Sequence, residues 1–385
     1  MGRNAQEQDG IAMQFVLRTG AKAVDNNVKE RLMRRNRELI DILLEKIRTE
    51  YREDIDLVGV CGSFFTGDFH ENSDLDLLVV VNNDQGYGFS RCFILDGVGF
   101  DFYGSSWSKL ERMASYDHTF LSHLVDVNIV YVRNTACKER FLKLRQQALQ
   151  MLDEPVTLRI VSKGAKQLDQ AALAYGNLML ADEIGAARQN AGLLVRHVSD
   201  TVCILNHNYF RLGVKHLLRE ILAMRRVPEN FMDGFNGVVA ATSVPQLKEA
   251  ATKLIKSVKK MFDEIKEETL KNVVPTSEAL KGTYEEIWSN WRNKIRYAAE
   301  HNDALLALSA GVSCQEFYDE MHAEHGSVPI NLMKHFQPHD LHSFAHTFEQ
   351  AMRLYRQEYE RLNMEPLVYD SIDSFRMDYL DQLRQ

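Results

Sequence analysis

Gly62-Ser63 and Asp74-Leu75-Asp76, with ten residues between Ser63 and Asp74, are the residues of this chain whose types and spacing can do chemistry. A glycine lets the backbone come close to an anion, and a serine beside it offers an amide and a hydroxyl to a phosphate. Residues i and i+2 of an extended chain point to one face, so Asp74 and Asp76 aim two carboxylates at one place, roughly 6–7 Å apart along the chain. Two such charges repel each other and are costly to desolvate; a hard cation between them offsets both penalties. Asp101, within Val98-Gly-Phe-Asp-Phe-Tyr103, is a third carboxylate. With Phe100 and Phe102 facing the core, Asp101 is expected on the sheet face of the first two. Magnesium suits such a set, because it takes a few carboxylates together with substrate phosphates, and paired ions can stabilise the attacking and leaving oxygens of an in-line displacement.

Positioning these groups requires strands on both sides. Leu57 to Cys61 is a short apolar run ending at Gly62-Ser63, and Leu75 to Val81 alternates and then runs apolar, so both read as buried strands with the polar residues between them. Residues 12–25 and 28–52 are helical in pattern; Leu32, Leu39, Ile40, Leu43, Leu44 and Ile47 form the apolar stripe of the second. Asp96-Gly97 between Arg91–Leu95 and Val98–Tyr103 signals a hairpin. Ser105 to Arg112 begins a short helix, and Val125 to Val132 is a further strand. From about Ala136 strand-like runs vanish, and helical periodicity predicts helices over 137–152, 156–182, 184–207, 213–225, 245–271, 278–301, 303–310, 314–323, 339–362 and 370–384, with prolines mostly between them. The expected fold class is therefore α+β: a minimal N-terminal domain with a mixed sheet and flanking helices, followed by an all-α helical-bundle region. The expected division is 1–135, 136–272 and 273–385.

Composition narrows the function classes. The 385 residues are 45% hydrophobic and 26% charged, ordinary for a soluble protein of two or three domains. A net charge of −8 provides no overall basic field for nucleic acid. Five scattered cysteines without C-x-x-C spacing read as buried free thiols. No apolar run approaches the ~20 residues of a membrane span, the start lacks a signal-peptide core, and Gln6 argues against myristoylation of Gly2, so a cytoplasmic location is expected. His342 and His346 are spaced as in a zinc-binding helix, but Ser343 stands where glutamate would be, and no metal role is expected of them. Trp288, Trp291 and Tyr297 read as bundle core, and Arg225-Arg226 as a cationic helix C-terminus.

Gly62-Ser63, Ser73-Asp74-Leu-Asp76 and the later Asp101 together resemble the signature of the DNA polymerase beta-like nucleotidyltransferase superfamily, specifically over roughly residues 40–112. The branch most resembled is the aminoglycoside-type, small-molecule nucleotidyltransferases, in which a minimal catalytic domain precedes a helical domain. A weaker echo runs from Asn206-His-Asn-Tyr209 to Lys215-His-Leu-Leu-Arg219. The resemblance implies that Asp74 and Asp76 coordinate Mg²⁺ bridging the nucleoside triphosphate, that Gly62, Ser63 and Ser73 bind the nucleotide, and that Asp101 completes a second metal site and helps deprotonate the acceptor hydroxyl. Lys215 is the candidate for neutralising triphosphate charge, and either Glu183 or Glu220 for an acceptor base.

The expected activity is Mg²⁺-dependent transfer of a nucleoside monophosphate, AMP from ATP, to a hydroxyl of a small molecule of the aminoglycoside kind, with release of pyrophosphate. The expected partners are an NTP, two Mg²⁺ ions and the acceptor, with neither membrane nor nucleic acid, and a homodimer as the assembly. Two alternatives remain: a regulatory nucleotidyltransferase that modifies a protein or RNA, as an antitoxin-like member would, and a nucleotide-binding module without turnover.

Overall fold

The computed structural model describes residues 26–67, 70–117 and 120–381; the helical pattern at 12–25 lies outside the described residues. The chain divides into two compact units, Met1–Lys266 and Glu267–Gln385. In chain order the first contains α1 (Asn26–Glu50), β1 (Ile55–Val60), α2 (Gly62–Thr66), β2 (Leu77–Val81), β3 (Arg91–Leu95), β4 (Val98–Phe102), β5 (Gly104–Ser106), α3 (Trp107–Ala114), α4 (Ser122–Val125), β6 (Asn128–Val132), α5 (Thr135–Leu152), α6 (Leu158–Leu180), α7 (Ile184–Leu205), α8 (Leu217–Leu222), α9 (Phe231–Ala240) and most of α10 (Val244–Leu270). Among the described residues no helix is long and apolar enough to cross a membrane.

A four-stranded mixed sheet of order β5-β2-β1-β6 is the platform. β1 is antiparallel to β2 and β6, while β2 and β5 are parallel. β1 is buried at every residue because both sheet faces are covered, which is why its sequence is a continuous apolar run and not an alternating one. The stripe of α1, Leu39, Ile40, Leu43, Leu44 and Ile47, packs with Val58, Val60, Val79 and Val81 on one face. On the other, Leu57, Leu78 and Val80 meet Trp107 and Leu110 of α3 and Phe141 and Leu144 of α5. The helices α6, α7, α9 and α10 build a separate core around Leu194, Val198, Phe231, Leu254 and Val258.

One buried charge ties the sheet's layers together. Asp56, 4% exposed, accepts from Trp107 Nε1 at 2.6 Å and from Arg133 Nε at 2.7 Å. Replacing it with asparagine keeps the shape but removes the charge that both donors face. Asp56→Asn should therefore lower stability by about 2 kcal/mol, seen as an earlier urea midpoint at unchanged slope.

The hairpin of β3 and β4 forms as the sequence predicts, with Asp96 and Gly97 at φ 52° and 76°. Elsewhere the structure departs from the expected helices. The helix expected at 213–225 is a 3₁₀ turn, Val214–His216, followed by the short α8, and α9 was not expected at all. Cys92 is exposed, whereas Cys61, Cys137, Cys203 and Cys314 are buried as expected.

The second unit comprises α11 (Ser277–Leu280), α12 (Thr283–Ile287), a π turn at Trp288–Arg292, α13 (Asn293–His301), α14 (Ala304–His325), α15 (Leu341–Arg361) and α16 (Ile372–Asp381). The single helix expected over 278–301 is interrupted because Gly282 adopts φ +85° and starts a new helix. The two helices expected at 303–310 and 314–323 are one, with Gly311 inside it where a side chain would lie 2.8 Å from Met333 Sδ and Phe344 Cζ. Of the three expected core aromatics only Trp291 is buried; Trp288 is 43% exposed beneath the Arg292 guanidinium, and Tyr297 is 52% exposed and stacked on His301.

Candidate active site

Asp74 and Asp76 lie in the extended run leading into β2, which starts at Leu77 and not at Leu75. The alternation persists: Leu75 is buried, and both aspartates on the other side are half-open. The Asp76 carbonyl accepts from the Cys61 amide at 3.1 Å, which ties this run to the end of β1. Gly62 has φ +64°, and a Cβ there would stand 1.8 Å from Asp76 Oδ2 and 2.5 Å from its Cγ. Only glycine leaves that carboxylate its place. Burial, and then the charge of Asp74, raise the Asp76 carboxyl above the ordinary aspartate value; the Ser63 amide hydrogen-bonds to it and pulls the other way, as does Lys215, while Asp101 adds to the rise. Burial, and then Asp76, push the neighbouring Cys61 thiol up to about 12, so it stays protonated and unreactive.

These residues open onto a cleft of about 550 Å³ whose other wall is Phe210 to Lys215. Lys215 is exposed on the 3₁₀ turn and reaches the cleft that holds Ser63, Asp74 and Asp76. The loop carrying it is fixed from several directions. Asp126 accepts from Tyr209 Oη at 3.0 Å and pairs with Arg211 at 3.1 Å, and Tyr116 Oη donates to the Asn208 carbonyl at 2.5 Å. Glu220 accepts from the amides of Arg211 at 2.8 Å and Leu212 at 3.1 Å, so both its oxygens serve to shape the loop. Glu183, exposed at the start of α7, does not line the cleft, and neither does Glu220. Ser73 lines it but is itself buried: its hydroxyl accepts from the His70 amide at 2.9 Å and its carbonyl from Arg35 at 2.6 Å.

Asp101 departs from expectation. Its strand, β4, pairs only with β3 in a separate two-stranded ribbon, so Asp101 does not share the main sheet with β2. Phe100 and Phe102 face the core, and Asp101 points outward opposite Cys92. The chain joins β2 only from Gly104, where a Cβ would lie 2.8 Å from Val81 Cγ1 and Tyr87 Cδ1, a place that a side chain would block. Asp101 nevertheless lines a small cavity together with Asp74, and its charge acts on Asp76.

Arg35 on α1 escaped the sequence reading. Its guanidinium donates to the Ser73 carbonyl, lies 4.9 Å from the Phe100 ring centre, and interacts with the charges of Asp96 and Asp74, although burial is the larger effect and lowers its pKa. It thus links the Asp74 run to the Asp101 hairpin. The available signal was next door: Asn36, a polar residue buried in the apolar stripe, marks that side of α1 as facing something polar, and Arg35 Nε donates to its Oδ1 at 3.1 Å. Tyr209 and Arg211 fall within the Asn206–Arg219 echo, but the sequence reading assigned them no role, since nothing local marks their common partner Asp126.

Residues 40–147, which span the sheet, the Gly62–Asp76 side of the cleft and most of α5, match the family model described as a nucleotidyltransferase domain. This part of the chain is a nucleotidyltransferase domain. The protein is therefore an enzyme of the nucleotidyltransferase class, and its fold is such a domain with a mixed sheet followed by a largely helical region. Among solved structures, a nucleotidyltransferase-like protein from Exiguobacterium sibiricum is similar at 12% identity and a TM-score of 0.29, over 60% of this chain and 77% of that one. No curated protein matches the chain.

A nucleotidyltransferase domain takes a nucleoside triphosphate and, in general, a divalent metal ion. The donor set here suits one. Asp74 and Asp76 are crowded like charges open to the cleft, and the described residues contain no grouping of three or more His, Cys, Asp or Glu that would cage an ion. Two carboxylates with the remaining positions left for phosphate oxygens and water suit a hard divalent cation better than a structural zinc ion.

Proposed function

We propose that the nucleotidyltransferase domain transfers AMP from ATP to a hydroxyl of a small molecule, with Mg²⁺ as the metal. The observation that carries this reading is the cleft in which Asp74 and Asp76, kept open by Gly62, face Lys215. Asp74 and Asp76 would hold Mg²⁺, and Asp101 would help with a second ion; when bound, the metal neutralises phosphate charge. Gly62, Ser63 and Ser73 line the triphosphate's path, and Lys215 adds the opposing charge from the far wall. The acceptor oxygen bonds to the α-phosphorus, the bond from that phosphorus to the bridging oxygen breaks, and pyrophosphate leaves with the electron pair. The acceptor proton passes to Asp101, which lines a neighbouring cavity together with Asp74 and whose charge acts on Asp76; Glu183 and Glu220 line neither cavity. Rate enhancement comes from alignment and charge stabilisation.

The test is incubation with each α-³²P-labelled NTP, with and without EDTA, in the presence of small-molecule, protein and RNA acceptors. Label from ATP on a small molecule, abolished by EDTA, is the expected result; label confined to protein or RNA would overturn the acceptor assignment. Lys215→Ala should raise KM for ATP about tenfold, the equivalent of about 1.4 kcal/mol, with a smaller effect on kcat, measured by initial rates over a range of ATP concentrations.

A further inference from the structure

A second cavity, of about 560 Å³, adjoins the first and shares Phe120 as part of its wall. Its size is that of a small-ligand site. Two helix faces line it: Lys163, Lys166 and Gln167 on α6, and Arg196, His197 and Asp200 on α7, each set at the three- and four-residue spacing that brings side chains to one side of a helix.

The charges in this cavity are unequal. Lys163 pairs with Asp117 and also donates to the carbonyls of Ser115 at 3.2 Å and Tyr116 at 2.8 Å, so those two opposite charges cancel. Among the described lining residues, Lys166 and Arg196 stand against one further carboxylate, that of Asp200. Beyond the wall, Arg112 and Arg159 also act on Asp117, whose carboxyl is held below its usual range first by the Lys163 hydrogen bond. His197 adds no acid, and its ring shares a hydrogen bond of 3.0 Å with Gln167. A basic cavity is notable in a chain whose net charge is −8.

We propose that this cavity holds the acceptor, and that the acceptor is a small hydroxyl compound carrying a carboxylate or phosphate group, anchored by Lys166 and Arg196. This rests on the nucleotidyl transfer proposed above and narrows its acceptor. A polycationic aminoglycoside would set like charges against these two side chains, which disfavours it by electrostatic mismatch. An anion there is oriented by the basic end of the cavity, with its hydroxyl toward the Phe120 wall and the Asp76 cleft. Transfer forms the bond from acceptor oxygen to α-phosphorus, breaks the bond from α-phosphorus to the bridging oxygen and releases pyrophosphate, with the proton going to Asp101 as before.

The charge of the acceptor can be read before its identity is known. A cell extract freed of protein and nucleic acid is separated into fractions retained on an anion exchanger, retained on a cation exchanger, and retained on neither. Each fraction is incubated with the full-length enzyme, Mg²⁺ and α-³²P-ATP. Label is expected on a component of the anion-exchanger fraction, and the Lys166→Glu/Arg196→Glu variant should raise KM for that fraction at least tenfold while KM for ATP changes less than twofold. Label on a cationic or neutral component, or an unchanged KM in the variant, overturns this inference while leaving nucleotidyl transfer intact. Label in no fraction, or on macromolecules only, overturns both readings.

Discussion

Asp76→Asn will remove nucleotidyl transfer by on the order of 10³-fold, about 4 kcal/mol of transition-state stabilisation, while the protein stays folded. The amide keeps the shape of the carboxylate and can still accept the Ser63 N–H, so packing is preserved. What is lost is the charge that a bound cation and the triphosphate require. Steady-state rates beside a thermal melt separate the two effects; a variant that transfers at the wild-type rate would sink the metal-ligand assignment. The same substitution has a stability consequence of opposite sign. Burial and Asp74 raise the Asp76 carboxyl above 3.8 in the folded chain, so the folded state binds the proton more tightly than the unfolded one. Its contribution to stability therefore falls as pH rises from the ordinary aspartate range through the raised value. In EDTA, Asp76→Asn should melt no lower than wild type at neutral pH, and the wild-type melting temperature should gain with Mg²⁺ where the variant's does not.

Gly62→Ala should also damage activity, and be worse for the fold. Its Cβ would overlap Asp76 Oδ2, and a left-handed φ of +64° costs a non-glycine residue about 1–2 kcal/mol before any clash. Since β1 and β2 are packed on both faces, the backbone cannot retreat far, and the carboxylate moves instead. Loss of transfer on the order of 10²-fold or more, with a melting temperature lowered by several degrees, is the expected result. Gly67→Ala is the control. It has φ +76° with nothing within 4 Å of the added Cβ, so it should cost only the backbone strain and keep transfer within a few-fold of wild type. Equal activity loss in both variants would mean that backbone strain, and not the Asp76 contact, is what Gly62 relieves.

The parts of this protein legible in its sequence are those encoded by near neighbours. The alternation of Ser73 to Asp76 puts two carboxylates on one face and Leu75 in the core, as the structure has it. Asp96-Gly97 makes its hairpin, and the apolar stripe of α1 lies on the sheet. Each follows from strand and helix periods over a few residues. Breaks set by one glycine against a distant side chain were less legible: Gly282 divides an expected helix, and Gly311, packed against Met333 and Phe344, joins two.

Taken alone, the sequence determined the candidate motif: Gly62 beside Ser63, an Asp-x-Asp run before a buried strand, and a domain type that the family match bears out. Tertiary structure decided what meets that motif. Lys215 faces it because Tyr209, Arg211 and Tyr116 clamp the intervening loop; Glu220 is taken up by loop amides; Asp101 stands on a separate ribbon because Phe100 and Phe102 claim the core and Gly104 alone passes Val81. The basic balance of the neighbouring cavity likewise emerges only when two helices are laid side by side. Local periodicity fixes which way a side chain points, but which distant side chains converge depends on packing and hydrogen bonds between segments whose partners carry no local mark.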